Sequence, residues 1–63
     1  MTLQEIKQAI EEGKRVFWST LAYQVIKDSV GQYLIDCSTG YCIGLTWLDG
    51  TTLNGEEEEF FTA

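Results

Sequence analysis

The side chains able to do chemistry are few. Cys37 and Cys42 are the only thiols, histidine is absent, and ten Asp and Glu residues stand against four Lys and Arg. A nucleophilic cysteine needs a base beside it, most often histidine. Here only Lys27 or a backbone dipole is left to activate a thiol, and no spacing brings either to Cys37 or Cys42. Two thiolates fall two ligands short of a structural zinc site, and no D-x-D-x-D-G spacing marks a calcium loop. No glycine-rich phosphate loop occurs, since Gly40 and Gly44 sit among strand and turn residues and Gly50 and Gly55 lack a following Lys-Ser/Thr. Paired carboxylates can do acid–base work, but Glu56 to Glu59 form one contiguous run of the kind that is usually solvated. The expectation is a protein that is not an enzyme and holds no metal and no cofactor.

The same run suits a different chemistry, electrostatic recognition. Glu56, Glu57, Glu58 and Glu59, with Asp49 and more distantly Asp28 and Asp36, concentrate a net charge of −6. In an extended chain adjacent residues lie about 3.3 Å apart, on the scale of the charge spacing along a nucleic-acid backbone. Such a stripe fits the basic groove of a nucleic-acid-binding protein and speeds association through its field. The competing reading is that the glutamates only keep a small aromatic-rich domain soluble. Leu53 before the run and Phe60-Phe61 after it tether both its ends; docking of either phenylalanine makes the run an ordered rim or edge strand. Glu56, Glu57, Glu58, Glu59 and Asp49 are therefore the candidate partner-binding residues. Direct nucleic-acid binding is disfavoured. Trp18 and Tyr23 would serve as stacking platforms, but Lys7, Lys14, Arg15 and Lys27 are the only cations, and the overall field repels a polyanion.

Local signals define the elements that must carry these residues. Thr2-Leu3-Gln4-Glu5 fits a capping box, and Leu3, Ile6, Ala9 and Ile10 recur at helical spacing. The pattern predicts one N-terminal helix over about 3–12, ended by Gly13. The period then changes. Val16 and Trp18 alternate within Arg15–Ser19. Leu21, Tyr23 and Val25 share a face, and Gln32–Cys37 resumes the strand pattern. Tyr41–Trp47 reads as the clearest strand, with Tyr41, Ile43, Leu45 and Trp47 on one face. Turns fall at Asp28–Gly31, Ser38–Gly40 and Asp49-Gly50. Turn signals this frequent, without a second helix, predict an α+β domain: the helix packed on a curled antiparallel meander of four to five short strands. An SH3-like small barrel is its specific closed alternative. The predicted core joins Leu3, Ile6 and Ile10 to Val16, Trp18, Val25, Ile35, Ile43 and Leu45.

Sixty-three residues allow a single domain, 1–63, with a folded surface of roughly 4,000 Å² for its mass. A chain so short relies on its aromatics for core. An aromatic surface left over would equally serve a structural, self-assembling homodimer. No apolar run approaches the ~18 residues of a membrane span, and the start of the chain lacks signal-peptide character. The expectation is a cytoplasmic, reducing setting. A turn at Ser38–Gly40 could set the two thiols across from each other, yet in that setting the expectation is two free thiols, buried or half-buried.

The pattern Ile6-Lys7-x-Ala9-Ile10-x-x-Gly13-Lys14-x-Val16-x-Trp18, then Tyr23-x-Val25, Tyr33-Leu34-Ile35-x-Cys37, Ile43-Gly44-Leu45-Thr46, Asp49-Gly50, Leu53-Asn54-Gly55-x-Glu57 and Phe60-Phe61, spans nearly the whole chain. It resembles similarly short proteins of bacteriophages, prophages and mobile elements. The resemblance implies a small accessory factor in the bacterial host cytoplasm that binds or inhibits a host protein. It assigns no residue a role.

Overall fold

The computed structural model describes residues 1–63. Helix α1 covers Leu3–Glu11 and is closed at both ends by its own sequence. Thr2 Oγ1 accepts from the Glu5 amide at 3.2 Å, and Glu5 Oε1 accepts from the Thr2 amide at 2.8 Å. At the other end Gly13 takes φ +81°, so that its N–H reaches Ile10 O and the Lys14 N–H reaches Ala9 O, both at 3.0 Å. This is the left-handed glycine stop that satisfies the last carbonyls. The helix ends one residue short of the expected Glu12, which is its C-cap.

Five strands follow: β1 (Val16–Trp18), β2 (Thr20–Lys27), β3 (Tyr33–Asp36), β4 (Cys42–Gly44) and, after a 3₁₀ turn at Glu57–Glu59, β5 (Phe60–Thr62). They form one antiparallel sheet in the order β4-β3-β2-β1-β5. Because β4 and β5 lie at opposite edges, the sheet stays open. The SH3-like alternative is thereby corrected: nothing joins the two edges into a barrel.

The register explains the core. Val16 pairs with Val25, Val25 with Ile35, and Ile35 with Ile43, which lines four β-branched side chains across one face. Ile6 and Ala9 of α1 pack onto this row, and Leu45 and Phe60 complete the cluster. Leu3, Ile10, Trp18 and Ile43 are half-buried around it, so the predicted core is found together with Phe60. Only eight residues are buried, so each carries a large share of the packing. One of them, Phe17, lies on the other face, stacked on Phe61 at 5.8 Å beneath the Arg15 guanidinium. The folded surface of 4254 Å² agrees with the value expected for one domain of this mass.

One expected element is much shorter than its pattern. The alternation over Tyr41–Trp47 forms a strand only at Cys42–Gly44, and Tyr41 and Trp47 are exposed. The chain leaves β3 because a new partner captures it. The Asn54 amide donates to Leu45 O at 2.9 Å, Asn54 Nδ2 to Gly44 O at 3.3 Å, and Thr46 pairs with Leu53. Ile43 and Leu45 still turn inward, but beyond them the alternation serves a local hairpin and no longer the sheet.

Candidate interaction surfaces

The acidic run is ordered, but not as an extended stripe. Glu57–Glu59 is a 3₁₀ turn that delivers the chain into β5, where Phe60 is buried. Docking of the aromatic pair is thus observed. A 3₁₀ turn has three residues per turn and rises about 2.0 Å per residue, so the glutamates fan out and the match to a phosphate repeat is lost. The cause lies elsewhere in the chain. Glu59 Oε1 accepts from Trp18 Nε1 at 3.3 Å and from the Glu56 amide at 3.0 Å, and the Met1 ammonium donates to Glu57 O. Glu59 is therefore half-buried and committed inward, whereas Glu56, Glu57 and Glu58 stay exposed.

Asp49 also has a structural task. Its Oδ1 accepts from the Thr51 and Thr52 amides, both at 2.9 Å, and its Oδ2 from the Thr52 hydroxyl. Those bonds, the Thr52 hydroxyl first, lower its pKa from 3.8 to about 2. The structure places Asp49 in a hairpin loop hung from β4 and Glu56–Glu59 beside β5, on different elements.

What Asp49 braces is more informative than its charge. The loop closes through Trp47 N–H to Thr52 O and Gly50 N–H to Trp47 O, both at 2.9 Å, with Gly50 at φ +74°. At its tip Trp47 is 64 % exposed and Leu48 is 107 % exposed, more open than in a reference extended peptide. Sequence periodicity places Trp47 on one strand face with Tyr41, Ile43 and Leu45, of which only Ile43 and Leu45 turn inward. The signal that could have located the loop is an apolar pair immediately before an Asp-Gly turn dipeptide.

Beside the loop lies a cleft of about 330 Å³. Gln32 from the β2–β3 turn and Gly50 from the loop both line it, so the turn and the loop border the same cleft. A larger hollow of about 440 Å³ runs along α1. Its polar groups already serve one another: Thr2 with Glu5, Gln8 with Glu12, and Lys14 with Glu12.

The thiols do not face each other. Asp36 is the register partner of Cys42, and the Cys37 N–H donates to Tyr41 O, so the two cysteines point to opposite sides of the hairpin. Both are free, and Cys42 is exposed, which corrects the expectation that both would be at least half-buried. No helix is long and apolar enough to cross a membrane. Compared with known protein families, curated proteins and solved structures, the chain matches none.

Proposed function

We propose that the protein is a non-enzymatic binding domain that docks on another protein through the Trp47–Leu48 loop. The single observation behind this reading is a pair of large apolar side chains held out in water by a hydrogen-bonded loop. A braced loop has little freedom left to lose on binding, and that saving goes directly into affinity. Tryptophan is among the residues that most often dominate an interface. Glu56, Glu57 and Glu58 add an acidic field that favours a basic partner and raises the association rate more than the affinity. The partner class is a host protein with an apolar pocket bordered by Lys and Arg, such as one with a nucleic-acid-binding groove. The setting is that of a phage- or mobile-element-type accessory factor in the bacterial cytoplasm.

The test is recovery of partners from bacterial lysate with three proteins: the wild type, W47S/L48S, and E56Q/E57Q/E58Q. Both variants change exposed side chains, so unfolding midpoints should stay within ~0.5 kcal/mol of wild type. The apolar variant should lose the partner. The glutamine variant should keep it, with slower association and a weaker dependence on salt. Equal recovery by W47S/L48S defeats the loop reading. Sedimentation at micromolar protein adds a second check, because a dimer abolished by W47S/L48S would make a second copy of the chain the partner.

A further inference from the structure

The cleft beside the loop combines an apolar floor with polar groups that the fold leaves free. Its floor is the Tyr33 ring, with the fully buried Leu45 beneath; its rim is Lys7, Gln32, Thr46 and the bare backbone of Gly50. Lys7 is the unusual member. In a chain with ten acidic residues the ammonium of this half-buried residue pairs with no carboxylate. Its natural partner one helical turn on, Glu11, turns instead to Lys27 Nζ at 2.7 Å and to the Tyr33 hydroxyl at 2.8 Å. The Lys7 ammonium sits 5.3 Å from the Tyr33 ring centroid, and Glu11 neutralises the other nearby cation, Lys27. Lys7 is thus the uncancelled positive charge at the mouth of the cleft. Gln32 donates through its backbone to Asp28, but its side-chain amide makes no bond within the fold, nor does the Thr46 hydroxyl.

We propose that this cleft binds a carboxylate carried next to an apolar side chain on a peptide. The carboxylate meets the Lys7 ammonium, with the Gln32 amide and Thr46 hydroxyl as further donors. A charge-assisted bond of this kind is about twice as strong as a neutral one. The neighbouring aliphatic side chain lies against the accessible part of the half-buried Tyr33 ring. A volume of about 330 Å³ is at the lower end of ligand pockets, which suits one or two side chains and no larger body. Two sources offer this chemistry: the C-terminus of a chain, and an internal Asp or Glu beside a hydrophobic residue. The overall charge of −6 weakens the attraction at long range, so recognition here depends on contact and not on steering.

Three probes separate the outcomes: acetyl-Ala-Val-Leu with a free carboxylate, the same peptide amidated, and acetyl-Leu-Asp-Leu-amide. Amide shifts of Gly44, Leu45, Thr46 and Gly50 report occupancy at millimolar peptide. The free-acid peptide should move them and its amide should not. Binding of acetyl-Leu-Asp-Leu-amide identifies the side-chain source, and its failure identifies the C-terminus. K7Q should weaken binding at least tenfold, with K7R restoring most of it. The comparison of acid with amide uses the wild-type chain alone, so the test does not depend on a variant folding. Equal binding of acid and amide, no shifts with either carboxylate peptide, or K7Q binding as tightly as wild type overturns the proposal. W47S/L48S should bind these peptides normally, so failure here and failure of the loop reading remain distinguishable.

Discussion

Replacing Gly55 by alanine tests the contact that anchors the C-terminal part of the chain. Gly55 precedes the acidic turn, and a Cβ built there lies 2.6 Å from Trp18 Nε1 and 3.2 Å from Trp18 Cε2. Non-bonded heavy atoms prefer about 3.5–4.0 Å, so the indole must retreat by about 1 Å. It has nowhere easy to go. Its ring packs on Tyr23 and Phe60, at centroid distances of 5.4 and 6.3 Å, and its Nε1 is tied to Glu59. Overpacking costs about 1–3 kcal/mol, and loss of a hydrogen bond to a charged group costs about 1.5–3 kcal/mol. Half-buried Glu59 regains part of that bond from water, so a total on the order of 2–4 kcal/mol follows. A chain of this length has roughly 3–9 kcal/mol of stability altogether.

The control is Gly13→Ala, where a Cβ meets nothing within 4 Å but φ is +81°; the left-handed backbone alone costs about 1–2 kcal/mol there. Urea unfolding followed by Trp18 fluorescence in a W47F background measures both, since exposed Trp47 would otherwise dilute the signal. The Gly55→Ala midpoint should fall well below that of Gly13→Ala, with early loss of amide protection over Glu57–Thr62. If Gly55→Ala is as stable as Gly13→Ala, or leaves the Trp18 emission unchanged, the close approach does not anchor this region.

Three further outcomes are expected. Leu45→Ala removes a fully buried side chain and should cost about 2–5 kcal/mol, whereas Leu48→Ala should stay within ~0.5 kcal/mol; thermal melts of the two separate core from display. For Asp49 the folded pKa of about 2 lies below the ordinary 3.8, so its support of the loop is complete above 3.8 and disappears as pH falls through 2. A carboxyl-carbon titration should find that low midpoint, and Asp49→Asn should speed amide exchange at Thr51 and Thr52 at neutral pH. A thiol reagent should label exposed Cys42 faster than half-buried Cys37, and mild oxidation should leave the monomer mass without the loss of two hydrogens, because the register turns the two sulfurs apart.

Features decided within a few residues were legible in the sequence. Thr2 and Glu5 cap the helix they predict, and Gly13, Gly31, Gly40 and Gly50 each take a positive φ at an expected turn or stop. Features decided by distant contacts were not. Nothing near Glu59 announces that Trp18, 41 residues away, will draw its carboxylate inward and wind the run into a 3₁₀ turn. The strand pattern through Tyr41–Trp47 is locally sound, and it stops because Asn54 and Leu53 return to pair with Gly44, Leu45 and Thr46. The β1–β2 hairpin shows the same limit: its register jumps after Phe17, where Ser19 at φ +65° lets Trp18 pair with Thr20 and leaves Leu21–Tyr23 outside the ladder. Of the candidate site, exposure of Glu56–Glu58 followed from charge, whereas the inward role of Glu59 and the bracing role of Asp49 required the fold.

The thinness of the core bears on how the exposed loop is read. Burying one leucine or aromatic side chain stabilises a protein by about 1.5–3 kcal/mol, a large increment for a domain that buries only eight residues. A single exposed leucine on a protein surface calls for no explanation. Here, however, a tryptophan and a leucine are adjacent, and their loop is held by three bonds to Asp49, one backbone bond across its base and one closing the Trp47–Gly50 turn. Those bonds fix the tip away from the core, so the exposure is not that of a frayed segment awaiting burial. A solubilising acidic surface and the proposed binding role of the loop are compatible. Net charge of one sign opposes association of like-charged copies through an exposed Trp-Leu pair, and the same field would favour a partner of opposite charge.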